Sequence, residues 1–280
     1  MDHLKTKTVK AHLDRLTKKM EKYRSTEDLR KSLETVSERL GPDHPDVATL
    51  CGEVGLKHKS LGEYDQALEY YYRAMAIALK QLGPDHPDLA ISYNNIGNVY
   101  GHKGENERAL EFYQKAMPIW LNKLGKDHPF LITLYFNIGL THEKLSEYDQ
   151  ALEYYERSLS LGLKLSTELS LQDDNSPKAN TLRGNIGRVN YKKGEYGLAL
   201  EFYQKSLVGE IRQYGEDNPV VAQRYNDLAF AFKAKKNFPK ALEYWEKSYA
   251  IFVNEFGWED QNARDVKANL NNLAKKMEEQ

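Results

Sequence analysis

A block that reads LGPDHPDVA from Leu40 returns as LGPDHPDLA from Leu82, as LGKDHPFLI from Leu124 and, more loosely, as YGEDNPVVA from Tyr214. The first two steps are 42 residues each. A second register agrees: A-L-E-[YF]-[YW] blocks open at Ala67, Ala109, Ala151, Ala199 and Ala241, with steps of 42, 42, 48 and 42. A chain with this period is built from small units, each of which leaves an apolar face that only its neighbour can cover. The same steps separate Gly55, Gly97, Gly139, Gly187 and Ala229, which places the six extra residues of the long step around Ser166 to Asp174, as a longer connection or an extended helix end.

Each unit reads as two helices. Tyr93, Ile96 and Tyr100 follow helical spacing between Pro87 and Lys103, and Ala109, Tyr113, Ala116, Trp120 and Leu124 form a second helical stripe. Gly62–Glu63, Gly104–Glu105, Ser146–Glu147 and Gly194–Glu195 mark the turn inside a hairpin, and G-x-D-[HN]-P marks the turn between hairpins. Proline suits the first helical position, which needs no amide donor, and the residue before it can cap the helix. Pro118 lies in mid-helix, where a lost hydrogen bond predicts a kink.

Small residues recur where helices must approach closely, at Gly55, Gly97, Gly139, Gly187 and Ala229 and again at Ala74, Ala116, Ser158, Ser206 and Ser248. Between them stand Tyr71, Tyr113, Tyr155, Tyr203 and Trp245. On these positions the chain resembles the tetratricopeptide repeat family, and its 42-residue unit with the LGPDHPD linker and YNNIG helix is most similar to the repeats of kinesin light chains. The family's usual repeat is about 34 residues, so hairpins longer by roughly two helical turns are expected. The resemblance implies an all-α fold, a right-handed superhelical solenoid of antiparallel hairpins. Residues 1–40 are expected to form a degenerate capping hairpin on the short runs Leu13, Leu16, Met20, Tyr23 and Leu29, Leu33, Val36, Leu40, 41–261 five hairpins, and 262–280 a capping helix.

Composition narrows the function. The 280 residues carry 40 Lys and Arg against 41 Asp and Glu, a net charge of -1 that gives no field for nucleic acid or an anionic membrane. The single cysteine, Cys51, supplies neither a disulfide framework nor a thiolate cluster. MDHLKTKTVK holds no apolar run of a signal peptide or membrane span, and the chain reads as cytoplasmic. No nucleophile, phosphate-loop or metal motif occurs, so no enzyme activity, cofactor or metal is expected. His44, His86 and His128 recur one unit apart, roughly 10 Å if helices pack normally, too far to share an ion; turn and cap chemistry is expected of them.

In the resembled family the first helix of each hairpin lines a concave groove, and a central asparagine there bonds the backbone of a bound peptide. Asn95, Asn137 and Asn185 hold that slot, with Glu53 and Asp227 departing from it. A carboxamide can satisfy a peptide N–H and C=O together; bonding within or between helices is the other reading of the three. Counting along the same face adds Asn94, Asn98, Phe136, Leu140, Arg188, Lys192, Asn226 and Phe230 as peptide-binding candidates, although Phe136 and Phe230 could equally pack between helices. The related co-chaperones clamp a C-terminal carboxylate with five residues. Here Asn98 and Asn137 match, whereas Asn94, Thr181 and Asn185 stand where cations belong. The expected partner is therefore a protein with an internal linear motif, acidic beside an aromatic or aliphatic residue, held by a scaffold or adaptor. The alternative is a structural subunit built permanently into an assembly through its convex face and ends.

Overall fold

The computed structural model describes residues 25–168 and 176–278. Among them are twelve α-helices and no strand: α1 (Thr26–Leu40), α2 (Pro45–Ser60), α3 (Tyr64–Leu82), α4 (Pro87–Lys103), α5 (Asn106–Leu124), α6 (Pro129–Lys144), α7 (Tyr148–Glu168), α8 (Pro177–Lys193), α9 (Tyr196–Tyr214), α10 (Pro219–Ala234), α11 (Phe238–Phe256) and α12 (Gln261–Glu278). They form two compact units, one ending at Gly125 and the other starting at Lys126. In unit one, α1 packs on the hairpin α2–α3, and α3 packs in turn on α4 of the hairpin α4–α5; unit two holds α6–α7, α8–α9 and α10–α11, followed by α12. The 3-4 spaced run Leu13, Leu16, Met20 and Tyr23 lies outside the described residues, as does most of the expected insertion. Part of that insertion is helix, because α7 has 21 residues where α3 has 19.

The linker blocks work as helix starts. Each of α2, α4, α6, α8 and α10 begins on a proline. Before it, Nδ1 of His44, His86 and His128 accepts the amide of Asp46, Asp88 and Phe130, each at 3.2 Å. Asn218 does the same for Val220 at 2.9 Å, and Ser176 accepts from Ala179 at 3.3 Å. These histidines are caps: an imidazole acceptor satisfies one of the amides a helix start leaves free. The second helices of the hairpins run 19 to 21 residues, and α5 continues through the exposed Pro118 to Leu124.

Within each hairpin an aromatic from the second helix lies over the small residue of the first. A β-carbon added at Gly55, Gly97, Gly139 or Gly187 would stand 2.9, 2.6, 2.7 and 2.6 Å from the ring of Tyr71, Tyr113, Tyr155 and Tyr203. The rings are almost wholly buried, as is Trp245 in the fifth hairpin, which faces Ala229 in the corresponding slot. Within each unit, neighbouring hairpins then bury their remaining faces on each other. Leu29 and Leu33 of α1 close one cluster over Val47, Cys51 and Val54, and Ala263, Val266 and Leu273 of α12 close another over Ile251 and Phe252.

The turn inside a hairpin requires a left-handed residue. Gly62, Gly104 and Gly194 supply it, whereas Ser146 and Lys236 are held there at φ of 62° and 60°. An L side chain in that conformation costs about 1 kcal/mol. Lys236→Gly is therefore expected to stabilise the chain by at most about 0.5 kcal/mol once the greater unfolded-state entropy of glycine is allowed for. His86→Ala should cost about 1 kcal/mol, and His86→Asn should recover most of it. Urea unfolding followed by circular dichroism measures both.

Candidate functional site

The first helix of each hairpin carries the predicted slot. In unit one, Asn95 of α4 is half-buried and lines a cavity of about 380 Å³ between α2, α3 and α4. Its neighbour Asn94 is buried, and the Asn98 carboxamide oxygen accepts the Tyr113 hydroxyl at 2.7 Å. Asn98 thus holds a core ring in place. The cavity lies where Gly52 stands in the register of Phe136 and Ala78 in that of Trp120 and Phe252, slots that are again small at Gly184 and Gly162. Leu56 occupies the slot of Asn98, and the buried Tyr71 hydroxyl has no hydrogen-bond partner among the described residues. Burial pushes the Tyr71 phenol well above its ordinary pKa.

In unit two, Asn137 and Asn185 are half-buried at the same slot. Among the described residues, the side chains of Asn95 and Asn185 make no hydrogen bond. Phe136 and Leu140 pack on the cluster of Tyr155 and Leu182, with the Phe136 ring 5.9 Å from that of Tyr155. Phe230 packs edge-on to Trp245 at 5.2 Å, and the Trp245 indole donates to Asn226 at 2.9 Å. These apolar residues are half-buried, with part of each built into its hairpin.

Arg188 and Lys192 meet on one carboxylate that the sequence reading passed over. Glu143 of α6 is 5% exposed. It accepts Arg188 Nε and Nη2 at 2.8 and 2.9 Å, Lys192 Nζ at 3.0 Å and the Tyr155 hydroxyl at 3.0 Å. Burial by itself raises its pKa. The Arg188 hydrogen bonds and charge, with those of Lys192 and Tyr155, outweigh burial and leave the carboxyl below its ordinary value. The repeat register held the signal, since Glu143 sits in the slot of Lys59, Gly101, Tyr191 and Lys233, where no other carboxylate occurs. Both cations keep outward surface, with side chains 46% and 41% exposed.

A second buried network joins α8, α9 and α10. Arg224 donates to Glu210 at 3.0 and 3.2 Å and to Asp227 at 2.8 Å, while the Ser206 hydroxyl lies 2.9 Å from Glu210 and 2.7 Å from the Asn180 carbonyl oxygen. Asp227 occupies the asparagine slot in this hairpin, and burial raises its pKa despite the Arg224 charge. Gly184 leaves the room that the Arg224 guanidinium fills.

Among the described residues no cluster of three or more metal-ligating side chains occurs, and no helix is long and apolar enough to cross a membrane. Paired helices on a fixed period, with aromatic-on-glycine packing and a polar slot on the first helix, define a helical repeat protein. A model of the tetratricopeptide repeat matches residues 52–122, 88–164 and 178–252, and the chain belongs to that family. Solved structures of similar fold include the nearly identical kinesin light chain-like TPR repeats of Podosopora anserina, with 18% identity, 76% of this chain and 98% of that one covered, and a TM-score of 0.64. BtubC from P. vanneervenii aligns at 21% identity over 85% and 91% of the two chains with a TM-score of 0.67. YrrB, described as a TPR protein with an unusual peptide-binding site, aligns at 20% over 87% and 100% with a TM-score of 0.54. No curated protein matches in sequence.

Removing the Glu143 charge leaves Arg188 and Lys192 facing each other. Glu143→Gln is expected to cost about 3 kcal/mol at neutral pH. Because the folded pKa is lowered, the stabilisation is complete above the ordinary carboxylate range and is lost as the pH falls through the lowered value. The gap between wild type and variant should therefore close in acid, as urea midpoints across a pH series would show.

Proposed function

We propose that this chain is a non-enzymatic scaffold or adaptor of the cytoplasm, which holds an extended segment of a partner protein along the first helices of its hairpins. The observation that carries this reading is the recurrence of a half-buried asparagine at one mid-helix slot, Asn95, Asn137 and Asn185. Asparagine is a mediocre helix former, and in two of the three the carboxamide is free to bond a peptide backbone. The cavity beside Asn95 supplies apolar surface in unit one. The peptide-binding site described for YrrB supports the same use of the fold. In unit two an acidic residue of the segment would join the outward faces of Arg188 and Lys192, beside Phe136 and Leu140, as an internal motif and not as a chain terminus. It would share those cations with Glu143, which makes this contact salt-sensitive.

Each backbone hydrogen bond from a carboxamide contributes about 1 kcal/mol. The triple substitution Asn95→Ala, Asn137→Ala, Asn185→Ala is expected to weaken partner capture about a hundredfold with an unchanged circular dichroism spectrum. Pull-down with tagged protein, followed by titration of whatever partner is recovered, measures it. Capture that survives the triple substitution and disappears on changing exposed residues of α12 would favour the structural-subunit reading instead.

A further inference from the structure

Unit one contains a pocket whose chemistry differs from the rest of the first-helix face. Its walls are apolar: Leu56 and Ile91 stand exposed at its edge, and Ile77, Ala78 and Tyr71 form its floor. Its only charged lining residues are the carboxylates Glu53 and Asp88. Glu53 is exposed at the rim and makes no hydrogen bond or ion pair among the described residues. Asp88 lies on the first turn of α4, 3.7 Å from the His86 ring nitrogen. Two exposed carboxylates at the rim of an apolar cavity, with no cation in its lining, attract a cation from outside.

Tyr71 provides the second observation. Its counterparts in three other hairpins are satisfied from within: Tyr113 by Asn98, Tyr155 by Glu143 and Trp245 by Asn226. Tyr71 is 1% exposed, and its hydroxyl has no partner. A buried hydroxyl in the lining of this pocket, with no partner among the described residues, is a polar group left for a ligand to satisfy.

We infer that the cavity between α2, α3 and α4 is a docking site for a basic, apolar protein segment: a leucine-sized side chain enters between Leu56 and Ile91, a flanking Lys or Arg pairs with Glu53, and the Tyr71 hydroxyl bonds the segment's backbone carbonyl. This rests on the groove-binding reading above and names the ligand class of its unit-one part, opposite in charge to that of unit two. At about 380 Å³ the cavity is at the small end of ligand sites and has room for an apolar side chain with its adjoining backbone.

The probes are two fluorescein-labelled, terminally blocked decapeptides that differ only in the residues flanking a central leucine, Lys on both sides in one and Glu in the other, titrated into the full chain by anisotropy. The Lys-flanked probe is expected to bind about tenfold tighter in low salt, and Glu53→Lys should abolish that preference. Leu56→Ser changes an exposed rim residue and should weaken the probe about tenfold. Tyr71→Phe removes an unpartnered hydroxyl, so it should leave the urea midpoint unchanged or raised while weakening the probe severalfold. Ala78→Trp, which places in α3 the residue α5 carries at Trp120, should close the pocket. Equal affinity for the two probes, preference for the Glu-flanked one, no saturation at millimolar concentration, or binding indifferent to both Leu56→Ser and Tyr71→Phe overturns the inference. If any of these results accompanies partner capture that is lost in the triple asparagine variant, the groove reading stands and only its unit-one chemistry is wrong; capture indifferent to the asparagines removes both.

Discussion

The contact on which the structure depends is an aromatic ring set against a residue with no side chain. Tyr71 on Gly55, Tyr113 on Gly97, Tyr155 on Gly139 and Tyr203 on Gly187 bring the two helices of a hairpin to a separation that a β-carbon would forbid, since it would stand under 3.0 Å from each ring. A ring in that position buries its whole area within one hairpin. The separation it sets then determines which residues of the first helix face the groove and which face the next hairpin. Trp245 opposite Ala229 shows how far the rule can bend: the small residue gains a methyl, and a different ring fits against it.

Burying a ring whose edge is polar creates a second requirement, because a sealed hydroxyl or indole N–H without a partner is costly. The hairpins meet it differently. Asn98 accepts from Tyr113, Asn226 from Trp245 and Glu143 from Tyr155. The third solution brings a carboxylate into the interior, and a buried carboxylate needs cations; Arg188 and Lys192 of the next first helix provide them. A ring in one hairpin is thereby coupled to the charge pattern of its neighbour. Arg224 and Glu210 extend the same logic to the interface of α8, α9 and α10, where they fill slots that hold apolar residues in other hairpins. Ionic interiors of this kind accept only one register, because any slip leaves a charge unpaired.

In the first hairpin that requirement is not met. Leu56 in the slot of Asn98 offers Tyr71 no acceptor, and Gly52 and Ala78 leave open the space that Phe136, Trp120 and Phe252 fill in other hairpins. The first hairpin therefore departs from these neighbours in polarity at one slot and in shape at two others. Repeat proteins diversify in this way: the frame residues stay, and the residues between them alter one face at a time.

By itself the sequence determined the frame. Period, proline starts, small and aromatic slots and the histidine caps all follow from local rules, in which a residue type at a given offset has one physical use. The asparagine slot was also legible, because an unfavourable helix residue repeated at one position points away from propensity. What only the tertiary structure decided is the partner of each polar group. Arg188 and Lys192 read as free cations on a groove wall until α6 brings Glu143 against them, 45 and 49 residues away in the chain. Asn98 and Asn226 read as peptide ligands until the second helix of their own hairpin delivers Tyr113 and Trp245. The orphaned Tyr71 and its cavity were likewise invisible, since an absence of partners is a property of three packed helices and not of any one of them. Spacing along a helix states which face a side chain takes; which atom it meets there depends on the element packed across from it, and that is set by shape, burial and charge together.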